Sequence, residues 1–131
     1  LRDAGLIVSA FIDPEPEQVE AAAKAGFGVC EVHTGPYAHA FFDHGRDSQT
    51  PQVQAELEKV ARAGKQIRDA GMRFNAGHAL NYVNVGPIAA LPGISELHIG
   101  HAIISRAVFV GLREAVSEMK RLMVHAANAA N

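Results

Sequence analysis

The sequence predicts an α/β fold made of repeated helix–strand units with parallel strands, and a short recurring pattern is the main reason. Residues 2–9, 23–30 and 68–75 each contain a helix tail, a glycine and then a largely apolar run. Glycine ends helices because it adopts the left-handed backbone without steric cost. A helix, a glycine stop and a buried strand in repetition are typical of parallel α/β architectures.

The polarity of the predicted strands narrows the choice among parallel α/β architectures. Strands covered on both faces read as continuous apolar runs, but here Glu31, His33, Asn75 and His98 alternate with small or apolar neighbours. Successive strand residues face opposite sides, so one side must face a partly polar interior. A TIM (β/α)₈ barrel has such an interior and takes roughly 250 residues. The 131 residues therefore predict half of such a barrel.

Four βα units follow in order along the chain, with strands predicted at residues 6–13, 28–34, 72–77 and 96–100. Pro14 and Pro16 open the first helix, where proline is tolerated in the first turn, and Gly26 ends it. The first copy of the pattern begins with a helix tail that no helix precedes. We therefore expect residues 1–131 to form a partial barrel domain that lacks its amino-terminal half.

The later connections are less uniform. Residues 35–49 are predicted to be a loop, and Thr50-Pro51 starts an amphipathic helix. Short helices are predicted at residues 84–91 and 102–110, and a final helix ends in a tail, residues 126–131, that should fray. The predicted packed face of the final helix consists of Leu112, Val116, Met119, Leu122, Met123 and Ala126.

Composition excludes several classes of protein. The contents of 48% hydrophobic and 20% charged residues are ordinary for a soluble globular domain. The net charge of −2 argues against a nucleic-acid or membrane-surface partner, and no apolar run reaches the roughly 20 residues of a membrane helix. The single Cys30 excludes an internal disulfide, and no signal-peptide pattern is present. We expect a cytoplasmic protein.

The candidate chemical groups lie at the predicted ends of strands. Glu31 and His33 are two residues apart on one strand, so their side chains face the same side of the sheet. A carboxylate in a partly dry site can steer protons or stabilise positive charge. Alternatively, the pair could only stabilise the barrel. His78 follows Gly77 at the end of strand three. It is a candidate acid or base near neutral pH, or else an ordinary loop histidine.

The end of strand four resembles an anion site. Gly100 and His101 precede a predicted helix, and free amides at a helix start bind anions; an ordinary βα turn is the alternative. The seven histidines also raise the possibility of a metal-binding module. Metal binding is disfavoured because His98 and His101 have neither a cysteine partner nor a His-Glu-x-x-His helix.

Several segments together resemble the carboxy-terminal half of the pyridoxine 5′-phosphate synthase family, PdxJ. The similarity covers essentially the whole chain but about half of the family's length. Four motifs in the same order make it specific, and the helix at 111–123 matches as well. The motifs are V-S-A-F-I-D at residues 8–13, E-V-H-T-G at 31–35, N-A-G-H at 75–78 and E-L-H-I-G-H-A-I-I at 96–104.

This resemblance implies a TIM barrel of which the chain is units five to eight, assembled as a homo-octamer. It implies condensation of 1-deoxy-D-xylulose 5-phosphate with 3-amino-2-oxopropyl phosphate to pyridoxine 5′-phosphate, without a metal or organic cofactor. His78 matches the family's proton donor and Glu31 its charge-stabilising carboxylate. Gly100 and His101 match substrate- or phosphate-binding positions. The glycine usual after the catalytic histidine is replaced here by Ala79, another substrate-binding position.

The resemblance also implies missing groups, because the family's other catalytic histidine and glutamate and its substrate-binding arginines belong to the first four units. The chain alone is therefore expected to be inactive. An alternative is a non-catalytic half-barrel that pairs with itself or with a complementing partner, since four parallel strands leave two unpaired edges.

Overall fold

A computed structural model describes residues 1–130 of the chain. It contains one four-stranded sheet in the order β1-β2-β3-β4, and all neighbouring strands are parallel. At least one helix connects each strand to the next, as parallel pairing requires. The strands are β1 (Ser9–Ile12), β2 (Val29–His33), β3 (Arg73–Gly77) and β4 (Ile94–His98).

Six α-helices alternate with these strands in the described part of the chain, so the predicted α/β architecture of half a TIM barrel is confirmed. A short 3₁₀ helix, Arg2–Ala4, precedes β1. The helices are α1 (Pro16–Ala25), α2 (Gly35–Asp43), α3 (Pro51–Asp69), α4 (Val85–Ala89), α5 (His101–Val110) and α6 (Leu112–Ala129).

The hydrophobic core lies between one face of the sheet and the helices that cover it. Cys30 and Val32 of β2 and Phe74 of β3 are at most 1% exposed and pack with Ile67 of α3. A Cβ at Gly64 of α3 would overlap the Phe74 ring. The helix and the strand therefore meet at a distance that only glycine permits.

The polar residues that alternate with the buried ones lie on the opposite face of the sheet, as the sequence predicts. The paired register aligns Phe11, Glu31, Asn75 and Glu96 in one row across the four strands. Phe11 is 55% exposed. No helix covers this face among the described residues, so it corresponds to the lumen side of a barrel.

The prediction of a loop over residues 35–49 is wrong for residues 35–43 and correct for residues 44–49, which form turns. Helix α2 occupies Gly35–Asp43, and its Tyr37, Ala38 and Phe41 are buried at helical spacing. Pro36 lies in the first turn of this helix, where proline fits because the amide it lacks has no partner there. Phe41 is a core residue, whereas Phe42 is exposed beneath the guanidinium of Arg46.

Strand four and the final helix also differ from the predictions. Strand β4 begins and ends two residues early, at Ile94 and His98, and its pairing with β3 contains an irregularity between Phe74 and Asn75. Helix α6 remains regular to Ala129 because its end packs on α4; Asn131 lies outside the described residues. On its predicted packed face Met119 is buried, but Leu112 and Val116 are exposed.

Candidate active site

The carboxyl ends of β2, β3 and β4 surround a cleft of about 320 Å³. Five residues that the sequence analysis selected for the site line this cleft together with His98, whereas His33, also a candidate, is not among the lining residues. The lining residues are Glu31, His78, Ala79, Leu80, Asn81, His98, Ile99, Gly100, His101 and Ala102. Residues up to 71 positions apart are thus brought together because parallel strands end at one edge of the sheet.

Glu31 is held by a histidine that the sequence analysis did not pair with it. The Nδ1–H of His98 donates to Glu31 Oε2 over 2.5 Å, and the Glu31 side chain is 20% exposed. On the other side of the ring, His98 Nε2 lies 3.6 Å from Glu96 Oε2. The hydrogen bond to Glu31 is the main reason that the pKa of His98 is raised, and Glu96 adds to the effect.

Two further residues shape the surroundings of Glu31. Asn75 is 2% exposed and its Nδ2 donates to Glu96 Oε2 over 3.2 Å. Its Oδ1 is buried without a hydrogen-bond partner among the described residues. Gly77 stands beside the carboxylate, where a Cβ would overlap Glu31 Oε1. Glycine at the end of β3 is therefore needed for Glu31 to lie where it does.

His78 is exposed on a turn that follows β3 directly. Its φ is 87° and that of Ala79 is 58°, so two consecutive non-glycine residues are left-handed. The His78 ring contacts His33 edge-on at 4.9 Å between centroids and Phe11 at 5.6 Å. His33 Nδ1 is 3.1 Å from Asp13 Oδ1. The His33 ring therefore contacts His78, which follows β3, although His33 lies on the same strand as Glu31.

The start of α5 forms the third wall of the cleft. Gly100 is the N-cap, and Gly100, His101 and Ala102 all line the cavity. The first amides of a helix have no intrahelical acceptor, and the helix dipole adds positive potential there. This wall is thus suited to an anionic group such as phosphate.

Within residues 1–130 no three His, Cys, Asp or Glu side chains are grouped so that they could hold a metal ion. None of the helices in that same stretch combines the length and the apolar character that a membrane crossing requires.

Sequence reasoning missed the pairing of His98 with Glu31 and the buried polar residues Thr34 and Asn84. Thr34 and Asn84 are both N-cap residues. A cap-type residue is ordinarily taken as a helix start and nothing more, so the only available signal was ambiguous.

Parallel strands, a polar lumen face and a cleft at the strands' carboxyl ends place the chain in the (β/α)₈-barrel class, of which it has four units. The family model described as "Pyridoxal phosphate biosynthesis protein PdxJ" matches residues 1–125. The chain belongs to the PdxJ family.

Curated relatives support this assignment. Proteins named "Pyridoxine 5'-phosphate synthase" from Dechloromonas aromatica (strain RCB) and Azoarcus sp. (strain BH72) are 68% and 67% identical to it over 127 residues. A protein of the same name from Aromatoleum aromaticum is also 67% identical. Each alignment covers 97% of this chain and 51% of the relative. The chain thus spans about half the length of the curated relatives it matches.

The pairing of His98 with Glu31 predicts a measurable titration. We expect an NMR titration of the His98 ring to give a pKa above the ordinary histidine value, because the charged ring donates to a carboxylate. Glu31→Gln should lower that pKa, and the matched variant Glu96→Gln should lower it less. The hydrogen bond between the protonated His98 ring and Glu31 stabilises the fold fully at pH values below the pKa that His98 has in the unfolded chain. This contribution is lost as the pH rises through the raised pKa of His98 in the folded chain. A His98 pKa that Glu31→Gln leaves unchanged would contradict the assignment.

Proposed function

We propose that the chain forms half of the active site of a pyridoxine 5′-phosphate synthase, a transferase-type enzyme of vitamin B6 biosynthesis. The observation that carries the proposal is the convergence of Glu31, His78 and the start of α5 on one cleft at the carboxyl ends of the strands. Barrel enzymes have their chemistry at that end. The names of relatives that are 67–68% identical support the same activity.

The proposed reaction joins 1-deoxy-D-xylulose 5-phosphate to 3-amino-2-oxopropyl phosphate. An imine forms first, and acid–base eliminations and ring closure follow, with release of phosphate and water. His78 donates and accepts protons, since an imidazole can act as either a general acid or a general base. Glu31 stabilises the positive charge that develops on the imine nitrogen. The amides at the start of α5, with Ala79, Gly100 and His101, bind a phosphorylated substrate.

The proposal assigns the remaining catalytic groups to a part of the protein outside these 131 residues. Relatives are about twice as long as the matched region, and the lumen face of this sheet is open. We propose that residues 1–131 are one partial barrel domain, that the complete protein is a cytoplasmic homo-oligomer, and that no metal or organic cofactor takes part. The exposed Ile104, Val108 and Phe109 of α5 would suit contacts between subunits.

The proposed phosphate site predicts local chemical-shift changes. Inorganic phosphate should perturb the amide signals of Gly100, His101 and Ala102 before others, because these groups combine free donors with the positive helix end. The start of α6 at Leu112 is the matched control, since it is a helix start that does not line the cleft. Equal shifts at both helix starts, or none, would contradict the site. The affinity should be weak while half of the cleft is missing.

The proposed catalysis predicts dependence on the missing units. The chain alone should make no detectable pyridoxine 5′-phosphate, because groups that act as a unit lose nearly all activity when some are absent. The unmatched half of the Dechloromonas aromatica relative, supplied in cis or separately, should restore turnover.

Variants of the restored enzyme assign the roles. His78→Ala should lower turnover roughly 10²-fold or more, the usual size of a positioned acid–base contribution. Glu31→Gln should lower kcat more than it raises KM, since its charge acts mainly in the transition state. His125→Ala, at an exposed position of α6, is the control and should have no effect. Full activity of the isolated chain, or of the restored His78→Ala variant, would refute the assignment.

A second candidate is a non-catalytic half-barrel that pairs with itself. The free edges of β1 and β4 and the exposed Phe11 on the lumen face favour it, because pairing would bury both. Sedimentation equilibrium of the isolated chain discriminates: a defined dimer is expected from self-pairing, and a monomer mass at micromolar concentrations would exclude it.

A further inference from the structure

The turn that carries His78 has a backbone conformation that its own residues disfavour. His78 and Ala79 are both left-handed, with φ of 87° and 58°. In this region the Cβ of a non-glycine residue crowds the following carbonyl oxygen. Such residues persist only where the surroundings over-determine them. The neighbours of the turn should therefore contain groups that hold it.

Thr34 is the first such group. It is fully buried and is the N-cap of α2, yet its side chain makes no capping hydrogen bond. Its hydroxyl lies 2.6 Å from both Gly77 O and His78 O, and its backbone N–H donates to Gly77 O over 2.8 Å. A threonine at this position ordinarily bonds the first amides of its own helix. Here the hydroxyl instead lies between two consecutive carbonyls of the turn on the neighbouring strand, and its single proton is donated to one of them or shared by both.

Asn84 repeats this arrangement on the other side of the turn. It too is a fully buried N-cap, of α4, that makes no capping hydrogen bond. Its Nδ2 donates to Ala79 O over 3.1 Å, and its Oδ1 accepts from the Asn81 N–H over 2.7 Å. Thr34 and Asn84 together engage three consecutive carbonyls, those of Gly77, His78 and Ala79.

Tyr37 connects the two groups. It is buried in the first turns of α2, and its hydroxyl donates to Asn84 O over 2.8 Å. Burial raises the pKa of Tyr37 to about 12, so the hydroxyl keeps its proton. Thr34, Tyr37 and Asn84 thus form one continuous brace, which joins the end of β2 to both sides of the His78 turn.

We propose that Thr34 is a positioning residue for His78: its hydroxyl, with Asn84, holds the left-handed His78–Ala79 turn and so directs the His78 imidazole and the Ala79 backbone into the cleft. The structural part of this inference stands on the hydrogen bonds alone. Its effect on turnover rests on the function proposed above.

The test compares Thr34→Val, which has nearly the same shape but no hydroxyl, with Thr34→Ser, which keeps the hydroxyl. In the 131-residue chain, Thr34→Val should change the HN–Hα couplings and backbone shifts of His78 and Ala79, and Thr34→Ser should preserve them. In the restored enzyme, Thr34→Val should lower kcat roughly 10- to 100-fold, because a displacement of about 1 Å can cost that much. KM should change little, and Thr34→Ser should keep near-normal kcat.

A glycine variant separates positioning from general packing. Glycine adopts a positive φ without the Cβ penalty, so Ala79→Gly added to Thr34→Val should recover part of the lost turn signals and of kcat. It should also recover folding if Thr34→Val alone does not fold. Unchanged His78 and Ala79 signals in Thr34→Val, or no recovery with Ala79→Gly, would overturn the inference. Absent turnover in the restored wild type would refute the proposed function, whereas the NMR comparison would still decide the role of Thr34.

Discussion

The packing of α3 against the apolar face of β2 and β3 is the contact on which the rest of the molecule depends. Ile67 of α3 and Cys30, Val32 and Phe74 of the strands are almost completely buried there. Since side chains alternate along a strand, burying this parity obliges Glu31, Asn75 and their neighbours to face the other way. Burial of the apolar side chains on one face of the sheet thus determines which side chains lie on the other, polar face.

The same register determines which polar groups meet. Phe11, Glu31, Asn75 and Glu96 share one row, and His33, Gly77 and His98 share the next. His98 reaches Glu31 diagonally, across the space that Gly77 leaves open. The carboxylate and the imidazole therefore meet because one intervening residue has no side chain, and a hydrogen bond to a carboxylate is stronger than one between neutral groups.

The strand parity, the four βα units and the position of Glu31, His78 and Gly100 at strand ends were predictable, because hydrophobic alternation and helix-stop glycines are local signals. The place of His98 in the cleft was not predicted, and His33, which was a candidate, does not line it. Helix α2 was missed because Gly35 and Pro36 favour a loop locally, while Tyr37 and Phe41 favour a helix only when packed on the core. The Thr34 and Asn84 contacts to the turn were beyond prediction, since they join residues up to 44 positions apart. Sequence alone gives no information on which of its possible partners a hydroxyl will bond.

The two free edges of the sheet have a consequence for symmetry. Strand order follows chain order, so β1 and β4 are the edges and both run in the same direction. A rotation of 180° about an axis parallel to the strands leaves strand direction unchanged. In a dimer with this symmetry, β4 of each copy would lie beside β1 of the other copy. The two sheets would then close into a ring of eight parallel strands with all their carboxyl ends on one side. A dimer that paired strand edges about a two-fold axis perpendicular to the strands would pair them antiparallel and place the two clefts at opposite ends of the sheet.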